Sequence, residues 1–247
     1  MLKRAAEAGA ELAGLDARAA ARLADREHGP ALFSVVDRPP PLAGPLPATG
    51  PLLLVGLCGL QDPGNVGTLL RSARAFGAHG VLLGEGGVDP GNPKVLRASA
   101  GAALGLPLGR LEQLPQWLDG ADLALRAALA PGSEERATLH AREERGAGSA
   151  QIEAAGGAGR SAEGGRRPQA LDEVASSENP ASVVPGPPSR VLLLLGHETR
   201  GVQSALATLG PDAPVEAWSL RQEPEVESLN VGVAGSILMA DWYRRWR

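Results

Sequence analysis

Three apolar runs limit what this chain can fold into: Leu52-Leu53-Leu54-Val55, Gly80-Val81-Leu82-Leu83 and Arg190-Val191-Leu192-Leu193-Leu194-Leu195. None alternates apolar with polar, so each reads as a strand covered on both faces. Helical spacing lies between them. The turn Gln61-Asp62-Pro63-Gly64 leads into a predicted helix over 66–76, with Asn65 as its cap, and a second helix is predicted over 95–104. Further strands are expected at 122–128 and 214–220, and a long last helix at 228–245. Apolar strands alternating with helices imply an α/β fold, a parallel sheet flanked by helices.

The 247 residues give room for one large domain or two small ones. Residues 3–26 have helical spacing and 31–36 read as a short strand. A Pro-rich stretch follows, and residues 41–50 are taken as a stiff linker. The residues before it, 1–40, are too few for an independent core. Residues 51–247 form the main domain. Within it, 131–189 is rich in Gly, Ala, Ser, Glu, Arg and Pro without apolar periodicity, and reads as a low-complexity insertion.

Composition removes several classes of function. A net charge of −4 rules out a polycation, so any nucleic-acid contact must come from a local basic patch. Aromatics are only 3%, too few for extensive base stacking. The single cysteine, Cys58, sits in an apolar run and excludes a cysteine-rich zinc site. The four His show no metal-ligand spacing, so no metal is expected. The longest apolar runs are too short to span a bilayer, and a cytoplasmic protein without a membrane partner is expected.

Three polar clusters point to a site. The first, Asn65-Val66-Gly67-Thr68-Leu69-Leu70-Arg71, opens a helix after a strand. Its glycines allow close backbone approach where a helix N-terminus favours anions, and Arg71 could hold a phosphate. The second, Gly196-His197-Glu198-Thr199, follows the 190–195 strand, and ligands of open α/β sheets gather at the carboxyl ends of strands. The third, Ser228-Leu229-Asn230-Val231, precedes the last helix. Taken singly, each cluster is an ordinary cap or loop.

As an ordered set, the clusters resemble the SpoU family of RNA ribose 2′-O-methyltransferases, in the SPOUT superfamily. The family's Asn-x-Gly-x-x-x-Arg motif is matched by Asn65, Gly67 and Arg71. Its Gly-x-Glu motif is matched by Gly196 and Glu198, and its Ser-Leu-Asn-Val motif by 228–231. Phe76-Gly77 and Ser99-Ala100-Gly101-Ala102 match two further family segments. Two positions depart from the pattern: Thr199 stands where the family usually has Gly, and 220–224 replace an Ile-Pro-Met-x-Gly segment.

The resemblance implies transfer of a methyl group from S-adenosylmethionine to a ribose 2′-hydroxyl of RNA, with rRNA ahead of tRNA as substrate. It implies Asn65, Arg71, Glu198, Ser228 and Asn230 around the reacting ribose. It places Leu195, Gly196, Leu220 and Leu229 along the cofactor. It also implies a C-terminal deep trefoil knot, a homodimer, and residues 1–40 as the remnant of an N-terminal RNA substrate-binding domain. The alternative is a non-catalytic RNA-binding SPOUT relative.

Overall fold

The computed structural model describes residues 2–24, 32–38, 41–42, 45–114, 123–129, 188–196, 201–210, 213–220, 222–223, 225–226 and 228–247. The low-complexity segment therefore lies, except for its last two residues, outside the described residues. So does the expected helix near 134–144.

The chain divides into two units, Met1–Asp37 and Arg38–Arg247. The first holds two short helices, α1 (Leu2–Glu7) and α2 (Ala17–Ala24). The strand expected at 31–36 does not form over the described residues 32–36. Leu32, Val35 and Val36 are exposed, with no neighbouring strand among the described residues to pair with.

The second unit is a six-stranded parallel sheet: β1 (Leu52–Cys58), β2 (Gly80–Leu83), β3 (Leu108–Arg110), β4 (Ala124–Ala128), β5 (Arg190–Gly196) and β6 (Val215–Trp218). The spatial order is β3-β2-β1-β5-β4-β6. β1 and β5 are paired along their whole lengths, from Leu52 beside Arg190 to Cys58 beside Gly196. The expectation of a parallel sheet flanked by helices holds. Side chains of β1 and β5 alternate between two cores. Leu53, Val55, Leu57, Val191, Leu193 and Leu195 enter one. Leu54, Cys58, Leu192 and Leu194 enter the other.

The first core is covered by α3 (Pro63–Ala75), α4 (Pro93–Ala98) and α6 (Val231–Trp246), through Val66, Leu69, Val95, Leu238, Met239 and Trp242. The second is covered by α5 (Gln203–Leu209), through Ala205 and Leu206. The helix predicted over 95–104 is broken. α4 stops at Ser99, Ala100 and Gly101 take positive φ of 49° and 78°, and a 3-10 turn follows at Ala102–Gly105. Left-handed backbone at two successive residues cannot continue an α-helix. The Pro-rich stretch also touches the sheet: Leu42 N–H donates to Leu108 O at 2.7 Å beside β3.

Among the described residues no helix is long and apolar enough to cross a membrane, and no group of three or more His, Cys, Asp or Glu could hold a metal ion.

His79, just before β2, donates its N–H to Leu53 O at 2.8 Å, and its Nδ1 accepts from Leu53 N–H at 3.4 Å. Burial lowers its pKa below the ordinary 6.5, and the nearby Arg247 adds to the effect. A His with a depressed folded pKa contributes stability that is fully present above its unfolded pKa and is lost as pH falls below it. The thermal midpoint is therefore expected to fall as pH drops below the ordinary 6.5, and His79→Gln to flatten that slope. An unchanged slope in the variant would remove His79 as the cause.

Candidate active site

The sheet changes winding direction at β1 and β5, and the crevice beyond their carboxyl ends is where ligands of such folds bind. Two helices open there. Asp62 caps α3, its Oδ1 accepting from Asn65 N–H at 2.7 Å, with Pro63 in the first turn. This corrects the expected cap. Pro starts the helix three residues earlier than predicted, so Asn65 lies inside the first turn and its side chain is released from capping.

Asn230 caps α6: its Oδ1 accepts from Gly232 N–H at 2.9 Å and Val233 N–H at 3.3 Å. The cap turns the amide nitrogen outward, and Nδ2 donates to Asn65 Oδ1 at 2.9 Å. Two residues 165 positions apart are thus joined side chain to side chain.

Sequence reasoning missed the packing that makes this junction possible. Gly232 lies under it: a Cβ there would stand 3.0 Å from Asn230 Oδ1 and 3.3 Å from Asn65 Oδ1. One turn on, a Cβ on Gly235 would come within 2.5 Å of Leu69 Cδ2 and 2.8 Å of Leu195 Cδ1. Farther along the same seam, Ser236 donates to Gly232 O at 2.6 Å, which leaves Ser72 to donate to Ser236 Oγ at 2.7 Å. Asn65, Thr68 and Ser72 recur at helical spacing along α3, and Gly232 and Ser236 along α6. Two such stripes of small and polar residues were the available signal.

The other expected site residues are placed as follows. Arg71 is exposed on α3, and its side chain has no hydrogen bond or ion pair with a described residue. Ser228 and Leu229 are exposed just before the α6 cap. Leu195 is fully buried, so only its backbone can face a ligand. Gly196 ends β5, where a Cβ would overlap the backbone of Gly201. Leu220 follows β6 and packs against the first core. Glu198 lies outside the described residues, as do His197 and Thr199. The structure therefore brings Asn65 and Asn230 into contact, and sets Arg71 on the same helix as Asn65.

Residues 52–146 match the SpoU rRNA Methylase family. An uncharacterized tRNA/rRNA methyltransferase of Synechocystis is 55% identical over 60 residues, 24% of this chain and 22% of the relative. One of Mycobacterium tuberculosis is 29% identical over 198 residues, 80% of this chain and 47% of the relative. The chain thus spans at most about half the length of these curated relatives. Among solved structures, an AdoMet-bound rRNA methyltransferase from Sinorhizobium meliloti has a TM-score of 0.52 at 22% identity, over 83% of this chain and 61% of that one. An RNA 2′-O ribose methyltransferase has a TM-score of 0.53 at 22% identity, over 99% of this chain and 85% of that one. At that identity the two structures establish the fold.

Proposed function

We propose that this chain, which matches the SpoU rRNA Methylase family over residues 52–146, transfers a methyl group from S-adenosylmethionine to a ribose 2′-hydroxyl of RNA, rRNA before tRNA. The observation that carries the reading is the Asn65–Asn230 hydrogen bond, which joins two of the family's motifs at the carboxyl end of the sheet. S-adenosylmethionine is named for the solved relative that is AdoMet-bound, and the 2′-hydroxyl for the one described as an RNA 2′-O ribose methyltransferase.

The residues present fit such a cofactor in kind. Leu220 and Leu229 offer apolar surface, and the backbone at Leu195 and Gly196 offers polar groups at a strand end. When bound, the sulfonium supplies an electrophilic methyl and a good leaving group. In this reading the chain's own residues orient the acceptor. Arg71 holds the phosphate next to the reacting ribose, an arrangement suited to an always-charged, many-donor side chain. Asn65 and Asn230 fix the distance between α3 and α6. Glu198 and Ser228 complete the polar set. The ribose oxygen would gain the methyl as the methyl–sulfur bond breaks, leaving S-adenosylhomocysteine, and its proton would pass to solvent. Alignment of the reacting atoms supplies much of the rate.

The reading includes the knotted C-terminal region, a cytoplasmic location and a homodimer. Val233, Tyr243 and Trp246 on α6 are exposed large apolar residues that a second copy could cover.

Capping and site roles of Asn230 separate by mutation. In Asn230→Ser the cap survives, because Ser caps nearly as well as Asn, but the shorter side chain loses Asn65. Stability within about 0.5 kcal/mol of the parent is expected together with a loss of turnover of at least about tenfold. Urea unfolding and methyl-transfer assays read the two effects, and normal turnover would confine Asn230 to capping. The cofactor itself is tested by calorimetric titration with S-adenosylmethionine and S-adenosylhomocysteine. Saturable binding of both is expected. RNA binding without cofactor binding would favour the non-catalytic alternative.

A further inference from the structure

Among the described residues of the second unit, the cationic side chains include a neutralised set and a set on α3 and α4 without carboxylate partners; Arg190 donates instead to Gly50 O and Pro47 O, and Arg247 lies near His79. In the neutralised set, Arg38 pairs with Asp89 at 3.0 Å and Arg110 with Glu112 at 3.4 Å. Arg126 pairs with Glu216. Arg244 and Arg245 share the buried Asp241, at 3.1 Å and 3.0 Å. The other set is Arg71 and Arg74 of α3 with Lys94 and Arg97 of α4. All four are exposed, and none has a carboxylate partner among the described residues.

Packing gathers this second set on one face. Gly67, Arg71 and Arg74 recur at i, i+4 and i+7, so they share a stripe of α3. The stripe runs along α4 and the turn after it. Gly67 lies against the end of α4, where a Cβ would stand 2.9 Å from Ser99 N and 3.0 Å from Ala98 C. The Arg74 guanidinium lies over Gly105, one of its nitrogens 2.8 Å from where a Cβ would be. Arg71 sits between these two contacts. On α4, Lys94 precedes Ala98 by one turn and so flanks α3, with Arg97 beside it. From Val66 to Arg110 the chain has only two carboxylates, Glu85 and Asp89, and Asp89 is held by Arg38 and Gly91 N–H. Among the described residues, a chain of net charge −4 therefore keeps a cationic strip without carboxylate partners on α3 and α4, beginning beside Asn65.

We propose that Arg71, Arg74, Lys94 and Arg97 form a docking strip for the sugar–phosphate backbone of RNA, leading the strand along α3 and α4 to the Asn65–Asn230 junction. The proposal rests on the methyl-transfer reading and adds the path by which the strand reaches the site. Contacts of this kind hold phosphates without reading sequence, so they set affinity and salt dependence.

The test is a triple variant of the full chain, Arg74→Gln, Lys94→Gln and Arg97→Gln, with Arg71 kept. Binding of labelled single-stranded oligouridylate is measured over a salt series, and S-adenosylmethionine binding by calorimetry. Three lost phosphate contacts should lower the slope of log K against log salt by about 2, and weaken binding at low salt by at least about tenfold. Cofactor affinity should stay at the parent value. An unchanged slope and affinity would overturn the strip and leave the methyl-transfer reading standing. Strip-dependent RNA binding by a chain that takes no S-adenosylmethionine would support the strip and overturn the reading.

Discussion

Arg71→Ala is expected to abolish methyl transfer while leaving S-adenosylmethionine binding close to that of the parent chain. Arg71 is exposed on α3 and lies outside the buried set of that helix, Val66, Gly67, Leu69, Leu70 and Ala73. Its removal should cost little stability, because exposed helix positions tolerate Ala well. The loss should appear in turnover, on the order of 10²-fold or more, as for other positioned charges acting on a developing transition state. Single-turnover assays at saturating cofactor measure it. Arg71→Lys separates charge from geometry: a point charge restores attraction for phosphate but not the planar fork, so only partial rescue is expected. Near-normal turnover in Arg71→Ala would remove the residue from the mechanism.

Gly67→Ala is expected to give the largest loss of stability for the smallest chemical change. A Cβ at Gly67 would overlap Ala98 Cβ and stand within 3.0 Å of Ala98 C and 2.9 Å of Ser99 N. Two of these three neighbours are backbone, in a segment pinned by Ser99 Oγ donating to Leu96 O at 3.1 Å and by the left-handed pair at 100 and 101. Neither helix can shift without disturbing the core beneath. Overpacking of this kind costs about 1–3 kcal/mol, against a gain of about 1 kcal/mol from replacing Gly by Ala inside a helix. A net fall in the urea midpoint is expected, with a parallel fall in activity, because α3 carries Asn65 and Arg71. An unchanged midpoint would mean that the α3–α4 contact is looser than these distances require.

The sheet was legible because its central strands are buried on both faces, and uninterrupted Leu and Val can hardly be anything else. The short edge strand Leu108–Arg110 carries no such run, and it forms because β2 supplies its hydrogen-bond partners. Helix α5 also went unread, since its seven residues are too few to establish a period. At the candidate site, the motifs singled out Asn65 and Asn230, but each looked locally like a cap. Only the tertiary structure shows that Asp62 caps α3 and frees Asn65, while Asn230 caps α6 and bonds Asn65 at once. The strip on α3 and α4 was invisible to net charge, because the carboxylates that make the chain acidic lie elsewhere in it.

The most direct measurement supplies the chain with S-adenosylmethionine labelled in its methyl group and with ribosomal and transfer RNA, followed by complete alkaline hydrolysis. Alkali cleaves RNA through a free 2′-hydroxyl, so a 2′-O-methyl leaves its label in an alkali-resistant dinucleotide. Methyl transfer as proposed puts the label there, from ribosomal RNA first, and Arg71→Ala removes it. Label recovered only in mononucleotides, or no label from a chain that binds both cofactor and RNA, would contradict it.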